Sequence, residues 1–334
     1  MQQSVITRAM TQDGSARIVV CNSSALVEHA HEIHNTSKTM TATLGRCLTA
    51  ASLMGCLLKD KTDVLTLQID GDGPAGRIVC ISDYLGNVRG WAENPDTELP
   101  PNENSKLNVG GSVGAGTLTV LRDTADAGHY GSTVNLVSGE IGGDITQYYA
   151  ESEQIPTVCA LGVLADTDCS CRAAGGFLLQ LLPGYDEAII PQIEANIAAL
   201  PPVSSLIRDG LTGEEIIGRV LSGIPFDLFD TIPVEYRCNC NREKYARALL
   251  ALGKDELCRM AEEDRPVEIR CRYCRKQTTF SAGELRDMIA ACEQKEKESN
   301  DEGEATDEAQ WEKAGAQEQT GRQARLFRFS CVAD

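Results

Sequence analysis

The sequence predicts an α+β fold: a mixed N-terminal core domain, a helical linker, a small C-terminal four-cysteine module and an acidic tail. Three observations lead there. Residues 1–184 alternate β-like runs with Gly-rich turns and helical patterns, without the regular β-α-β succession of a parallel sheet. Residues 185–237 turn helical and are broken into short pieces by prolines. Near the C-terminal end stand two close cysteine pairs, Cys238 with Cys240 and Cys271 with Cys274.

Taken in order, Ala16-Arg17-Ile18-Val19-Val20-Cys21 and Val64-Leu65-Thr66-Leu67-Gln68-Ile69 read as strands, the second alternating as a half-buried strand does. Gly71-Asp72-Gly73-Pro74 supplies a turn, so the run from Val64 and the following Gly76–Ile81 form a hairpin. Between the two strands lies a long helical pattern over about Thr39–Leu58, with Leu44, Leu48, Ser52 and Cys56 recurring every fourth residue. Gly110–Gly116 lacks the Lys-Ser/Thr ending of a phosphate loop and leads into the alternating Leu118-Thr119-Val120, so it reads as turns and close strand packing.

In the linker, Ile189-Ile190-Pro191 opens one helix with proline in a permitted early position, and Pro201-Pro202 closes it. Thr212-Gly213-Glu214-Glu215 leads into a second apolar run through Ile216, Ile217, Val220 and Leu221. These short helices carry exposed-looking apolar residues and too little length for a core of their own. Such a segment docks or releases at modest free-energy cost.

Residues 238–294 form the module: a helix from Arg242 to Leu252 stopped at Gly253, another from Lys254 to Ala261, a short strand from Pro266 to Arg270, and a Ser281–Glu284 capping box opening a helix to about Cys292. The tail, 295–334, rich in Glu, Gln, Ala, Asp and Gly, reads as disordered, with Arg325-Leu326-Phe327-Arg328-Phe329 as a weak contact candidate.

Composition narrows the function. The chain has 334 residues, 42% of them apolar and 24% charged, enough for a sizeable core. Neither a signal peptide nor an apolar run of membrane-spanning length is evident, and the expectation is a cytoplasmic protein with no membrane partner. The net charge of −18 argues against nucleic acid, and the segment from Glu235 to Gln294, at +1, lacks the basic surface of a DNA-binding ribbon.

Fourteen cysteines without an export signal read mostly as reduced core residues; Cys21, Cys47, Cys56, Cys80 and Cys159 sit among apolar or small neighbours. The quartet Cys238, Cys240, Cys271 and Cys274 differs. Two close pairs some thirty residues apart place four thiolates at the corners of one tetrahedron, the arrangement that holds a structural Zn2+, one per chain. The first pair leaves one residue between its thiols, so a disulfide closing there is near the edge of comfortable geometry and readily reduced again. Spacing alone leaves a permanent zinc staple and a redox-active site both open.

Wider motifs bear on that choice. Tyr236-Arg237-Cys238-Asn239-Cys240-Asn241-Arg242 with Ala248–Gly253, Val267–Cys274, Leu44-Gly45-Arg46, Gly71–Pro74, Gly86–Gly90 and Ala173–Pro183, in that arrangement, resemble the heat shock protein 33 family of redox-regulated chaperones over roughly residues 5–293. The resemblance implies a holdase rather than an enzyme: an ATP-independent binder of unfolding proteins, inactive when reduced and zinc-bound. It implies switching by disulfides Cys238–Cys240 and Cys271–Cys274 with loss of zinc, and a homodimer when oxidised. Release of the linker would expose Ile189, Ile190, Ile216, Ile217, Val220, Leu221 and Phe226 as client contacts. The alternative is a constitutive structural zinc module attached to an enzymatic or nucleic-acid-binding domain.

Two further clusters carry less. His29, His31 and His34 lack the spacing of a metalloprotease helix and read as surface or helix-end residues. Cys169-Ser170-Cys171, outside the family's switch, would point both thiols one way if it were a strand, and reads as two reduced residues.

Overall fold

A computed structural model describes residues 3–291, so the tail, the contact candidate at Arg325–Phe329 and Cys292 lie outside the described residues. By contacts the chain divides into a large unit, Met1–Asn239 together with Cys271–Lys276, and a small unit made of Cys240–Arg270 and the residues from Gln277 onward.

The large unit is built on two antiparallel sheets. Its elements in order are β1 (Val5–Thr11), β2 (Ala16–Asn22), α1 (Ser24–His34), α2 (Lys38–Gly55), β3 (Val64–Gly71), β4 (Ile78–Asp83), β5 (Val88–Ala92), α3 (Val109–Val113), β6 (Gly116–Thr124), β7 (Gly128–Asn135), α4 (Gly142–Tyr148), β8 (Thr157–Ala165), β9 (Cys171–Leu181), α5 (Ile190–Ala198), α6 (Val203–Arg208), α7 (Gly213–Val220) and β10 (Phe226–Pro233). The first sheet runs β10-β1-β2-β9-β8 and the second β5-β4-β3-β6-β7. The hairpin expected after Val64 is β3–β4, with Ile69 opposite Ile78.

Helix α2 explains how the sheets share a core. Ser37 caps it by accepting from the Met40 amide, and it packs against β3, β4 and β5 of one sheet and β2, β8 and β9 of the other. Every residue of α2 except Lys38 and Arg46 is buried. The fourfold repeat seen in the sequence is therefore one stripe of a helix enclosed on all sides, which its small residues (Ala42, Gly45, Ala50, Ala51) permit.

The linker segment differs from expectation in three ways. It contains a strand, β10, which pairs with β1 in the register Val5↔Pro233. It contains a further helix, α6, whose Leu206 and Ile207 are buried. The apolar residues of α7 and its C-terminal end are not exposed: Ile216, Ile217, Val220 and Leu221 are each 0–1% accessible and join Ala9, Ile18, Val20, Phe177 and Leu179 of the first sheet in one cluster. The short helices thus have no core of their own because they complete one begun by the sheet's outer face.

Cys169 and Cys171 do not share a strand. Cys169 sits in a turn with φ 70°, and Cys171 opens β9. Residues 110–113 belong to the single-turn helix α3, capped by Asn108, rather than to turns alone.

The small unit holds α8 (Arg242–Leu250), α9 (Lys254–Glu262), the hairpin β11 (Val267–Arg270) with β12 (Gln277–Phe280), and a helical run over residues 282–291. The expected capping box is present: the Glu284 amide donates to Ser281 Oγ at 3.3 Å and the Ser281 amide to Glu284 Oε2 at 2.9 Å. Its core is Leu249, Leu257, Ala261, Phe280 and Leu285. A core cluster of five buried apolar residues among the described ones is small for independent stability, the circumstance in which small modules depend on a metal or disulfide.

Candidate metal centre

Cys238 follows directly on a short extension of the second sheet. The Val88 amide donates to the Glu235 carbonyl at 3.0 Å and the Arg237 amide to the Val88 carbonyl at 2.9 Å, which ties the chain to the start of β5 just before the first thiol. Asn241 then caps α8, accepting from the Lys244 amide at 2.8 Å, so Cys238-Asn239-Cys240 is held between a strand extension and a helix start. The second pair occupies the turn between β11 and β12. There the Cys271 amide donates to the Lys276 carbonyl at 2.9 Å, the Arg275 amide to the Cys271 carbonyl at 3.0 Å, and Arg275 is left-handed with φ 59°.

These two local turns bring Cys238, Cys240, Cys271 and Cys274 together with all four sulfurs within 4.8 Å of one another. Cys238 Sγ and Cys271 Sγ are 3.7 Å apart. A tetrahedron of zinc–sulfur bonds has edges of about 3.8 Å, so the donor set and its spacing fit a Zn2+ ion. Cys271 is buried and the other three are half-buried, an accessibility that admits small oxidants.

The buried cysteines outside the quartet have a different character. Burial pushes the thiols of Cys47, Cys56 and Cys159 up to about 12 and raises Cys21 and Cys80 as well. Cys171 is also pushed to about 12, by burial and then by Glu28. Protonated and enclosed, these thiols are poor nucleophiles.

Beside the second pair lies a polar network that sequence reasoning missed. The hydroxyl of Tyr236 is 2.6 Å from the Tyr273 carbonyl and 2.7 Å from the Gly90 carbonyl, and it accepts from the Gly90 amide at 3.3 Å. His34 Nε2 is 3.1 Å from the same hydroxyl, and Arg275 Nε donates to His34 Nδ1 at 3.4 Å. Burial, and secondly the Arg275 charge, lower the His34 pKa to about 4, so the ring is neutral at pH 7. Arg89 lies over the Tyr273 ring at 5.3 Å and Arg272 over Trp91 at 4.9 Å. Of the three histidines, then, His29 is an exposed partner of Glu32, His31 pairs with Thr36, and His34 alone is buried against the cysteine turn. Its partner Tyr236 is 202 residues away, which no local pattern reveals.

The apolar residues expected to meet clients are scattered along the linker but converge in space. Ile189, Ile190 and Phe226 are partly buried against the cluster that contains Ile216, Ile217, Val220 and Leu221. Among the described residues no helix is long and apolar enough to cross a membrane.

Comparison with known proteins places this architecture. The Hsp33 protein family model matches residues 4–281. The 33 kDa chaperonin of Bacillus licheniformis is 41% identical over 281 residues, covering 84% of this chain and 96% of that protein. That of Acetivibrio thermocellus is 41% identical over 288 residues, with 86% and 97% covered. The crystal structure of the 33 kDa chaperonin, a heat shock protein 33 homolog, from Thermotoga maritima superposes with a TM-score of 0.79 at 35% identity, covering 87% of this chain and 98% of that one. With the family match spanning most of the chain, the fold in common and four cysteines gathered as a zinc site, this chain belongs to the Hsp33 family of redox-regulated, non-enzymatic chaperones.

Proposed function

We propose that the protein is an ATP-independent, cytoplasmic holdase in which residues 185–237 form a releasable cover, residues 238–294 the redox switch and residues 1–184 the core. The observation that carries this reading is the pairing of two features in one chain: four gathered thiols, and immediately before them a segment whose apolar residues complete the outer face of the first sheet.

Bound zinc would hold the four sulfurs as thiolates and cross-link a module whose own core is small. Oxidation acts on the cysteines. The thiolates of Cys238 and Cys240, and those of Cys271 and Cys274, lose two electrons per pair as one S–S bond forms. Hypochlorous acid takes up the electrons of one pair with one proton from solvent and leaves as chloride and water; hydrogen peroxide takes them up with two protons from solvent and leaves as two waters. Sulfurs joined in a disulfide no longer offer thiolate charge to a dication, and the module loses its cross-link.

The cover next to it then detaches, exposing Ile189, Ile190, Ile216, Ile217, Val220, Leu221 and Phe226 together with the sheet residues Ile18, Val20, Phe177 and Leu179 that they cover. Unfolding proteins bind that surface, the net charge of −18 keeps the complexes dispersed, and the oxidised form pairs as a homodimer. The test is light scattering of a chemically unfolded client diluted into reduced zinc protein or into hypochlorite-treated protein. Suppression after oxidation only is expected. Equal suppression by both forms would make the zinc a fixed staple.

A further inference from the structure

The network around Tyr236 has a closed form. With His34 neutral and its Nδ1 accepting from Arg275 Nε, the ring proton is on Nε2 and points to the Tyr236 hydroxyl; that hydroxyl in turn carries a single proton, within reach of the Tyr273 and Gly90 carbonyls. The chain of donors leaves the polypeptide at Arg275 and returns to it at Tyr273. Those residues flank Cys274, and Tyr236 itself is two residues before Cys238.

The third party is β5. Its Gly90 gives both backbone groups to the Tyr236 hydroxyl, and its Arg89 and Trp91 meet Tyr273 and Arg272. The hydroxyl therefore joins the strand, the approach to the first cysteine pair and the loop carrying the second.

We propose that Tyr236, held by His34, is a positioning residue of the switch: it registers the Cys271–Cys274 loop against Cys238 and against β5, so that the order of the N-terminal sheet and the retention of the metal are coupled. This deepens the redox reading and rests on Cys238, Cys240, Cys271 and Cys274 being the ligands. Deleting the hydroxyl leaves the Gly90 and Tyr273 backbone groups in a buried site without their partner, a loss that weakens the docked state. Loosening of β5 by heat or mutation then loosens the thiols, and opening of the thiols frays β5.

The test uses the reduced, zinc-loaded full chain and needs no client. Zinc transfer to a chromophoric chelator is timed for wild type, Tyr236→Phe and Tyr130→Phe, an exposed phenol elsewhere in the same unit. Amide exchange is followed at 88–92 and 271–276. Tyr236→Phe is expected to start with one zinc per chain, to release it about ten-fold faster, and to exchange faster in both segments while residues 142–148 stay as in wild type. Tyr130→Phe is expected to match wild type. Wild-type release and exchange in Tyr236→Phe would overturn the proposal. If Tyr236→Phe does not fold, His34→Leu, which breaks the chain at another link, must show the same acceleration, and wild-type rates there would overturn it equally. Because both readouts come from the reduced protein, a chain that accelerates as expected yet never suppresses aggregation would remove the holdase reading and leave the coupling standing.

Discussion

Replacing Ile217 by alanine should uncouple the cover from the sheet without touching the cysteines. Ile217 is fully buried in α7, within the cluster shared with Ile18, Val20, Phe177 and Leu179. The substitution removes three carbons, each contributing about 0.8 kcal/mol when buried, and leaves a cavity between helix and sheet. The expected cost is about 3 kcal/mol, inside the range for isoleucine-to-alanine changes in cores. If the cover detaches as a unit, that loss raises its open population about a hundred-fold. Two measurements on the reduced protein follow it: amide exchange over residues 213–220, and light scattering of an aggregating client. Faster exchange with partial suppression before any oxidant, and one zinc still bound, is the expected combination. Unchanged exchange would show that α7 does not carry the docking free energy. Faster exchange without suppression would show that the face under the cover is not the client surface, and the mechanism would fall.

Other outcomes follow from the same structure. The wild-type reduced chain should hold one zinc by elemental analysis, whereas Cys238→Ser combined with Cys271→Ser should retain little; near-stoichiometric metal in the double variant would refute the ligand assignment. Alkylation of the native zinc protein at pH 8, read by mass spectrometry, should spare Cys47, Cys56, Cys159 and Cys171, whose thiols are pushed to about 12 and stay protonated; prompt modification of Cys47 would contradict its enclosure. Gly71→Ala would place a Cβ 1.9 Å from the Val113 carbonyl oxygen, a clash with backbone that side-chain rotation cannot relieve. Its cost is on the order of 2–3 kcal/mol, so a Tm lowered by roughly 5 °C or more is expected, and an unchanged Tm would show that α3 yields.

What was legible in the sequence shares one property: the information is local. The β3–β4 hairpin announces itself through alternation and a Gly-Asp-Gly-Pro turn, the Ser281 capping box through four consecutive residues, and the metal centre through spacing within each cysteine pair. Strand β10 was hidden because Phe226-Asp227-Leu228-Phe229-Asp230 mixes charge with exposed apolar residues, as an edge strand does, and because its partner is at the opposite end of the chain. The burial of α7 was hidden for the same reason. An amphipathic helix shows that it has an apolar face, and the residues that receive that face, Ile18 to Leu179, are far away in sequence. His34 looked ordinary because its environment is assembled from Tyr236 and Arg275, more than two hundred positions on.

The pairing of β1 with β10 also has a bearing on how the chain is made. Arg8 and Asp230, joined across that pair, are separated by 222 residues. At ordinary rates of synthesis the first strand therefore leaves the ribosome roughly ten to forty-five seconds before its partner. Until then β1 is a bare sheet edge, and for most of that time, before α5, α6 and α7 have been made, the face carrying Ile18 and Val20 has no helices over it. Every newly made copy thus begins life displaying the apolar surface that the finished molecule keeps covered, and itself needs, for those seconds, protection from aggregation.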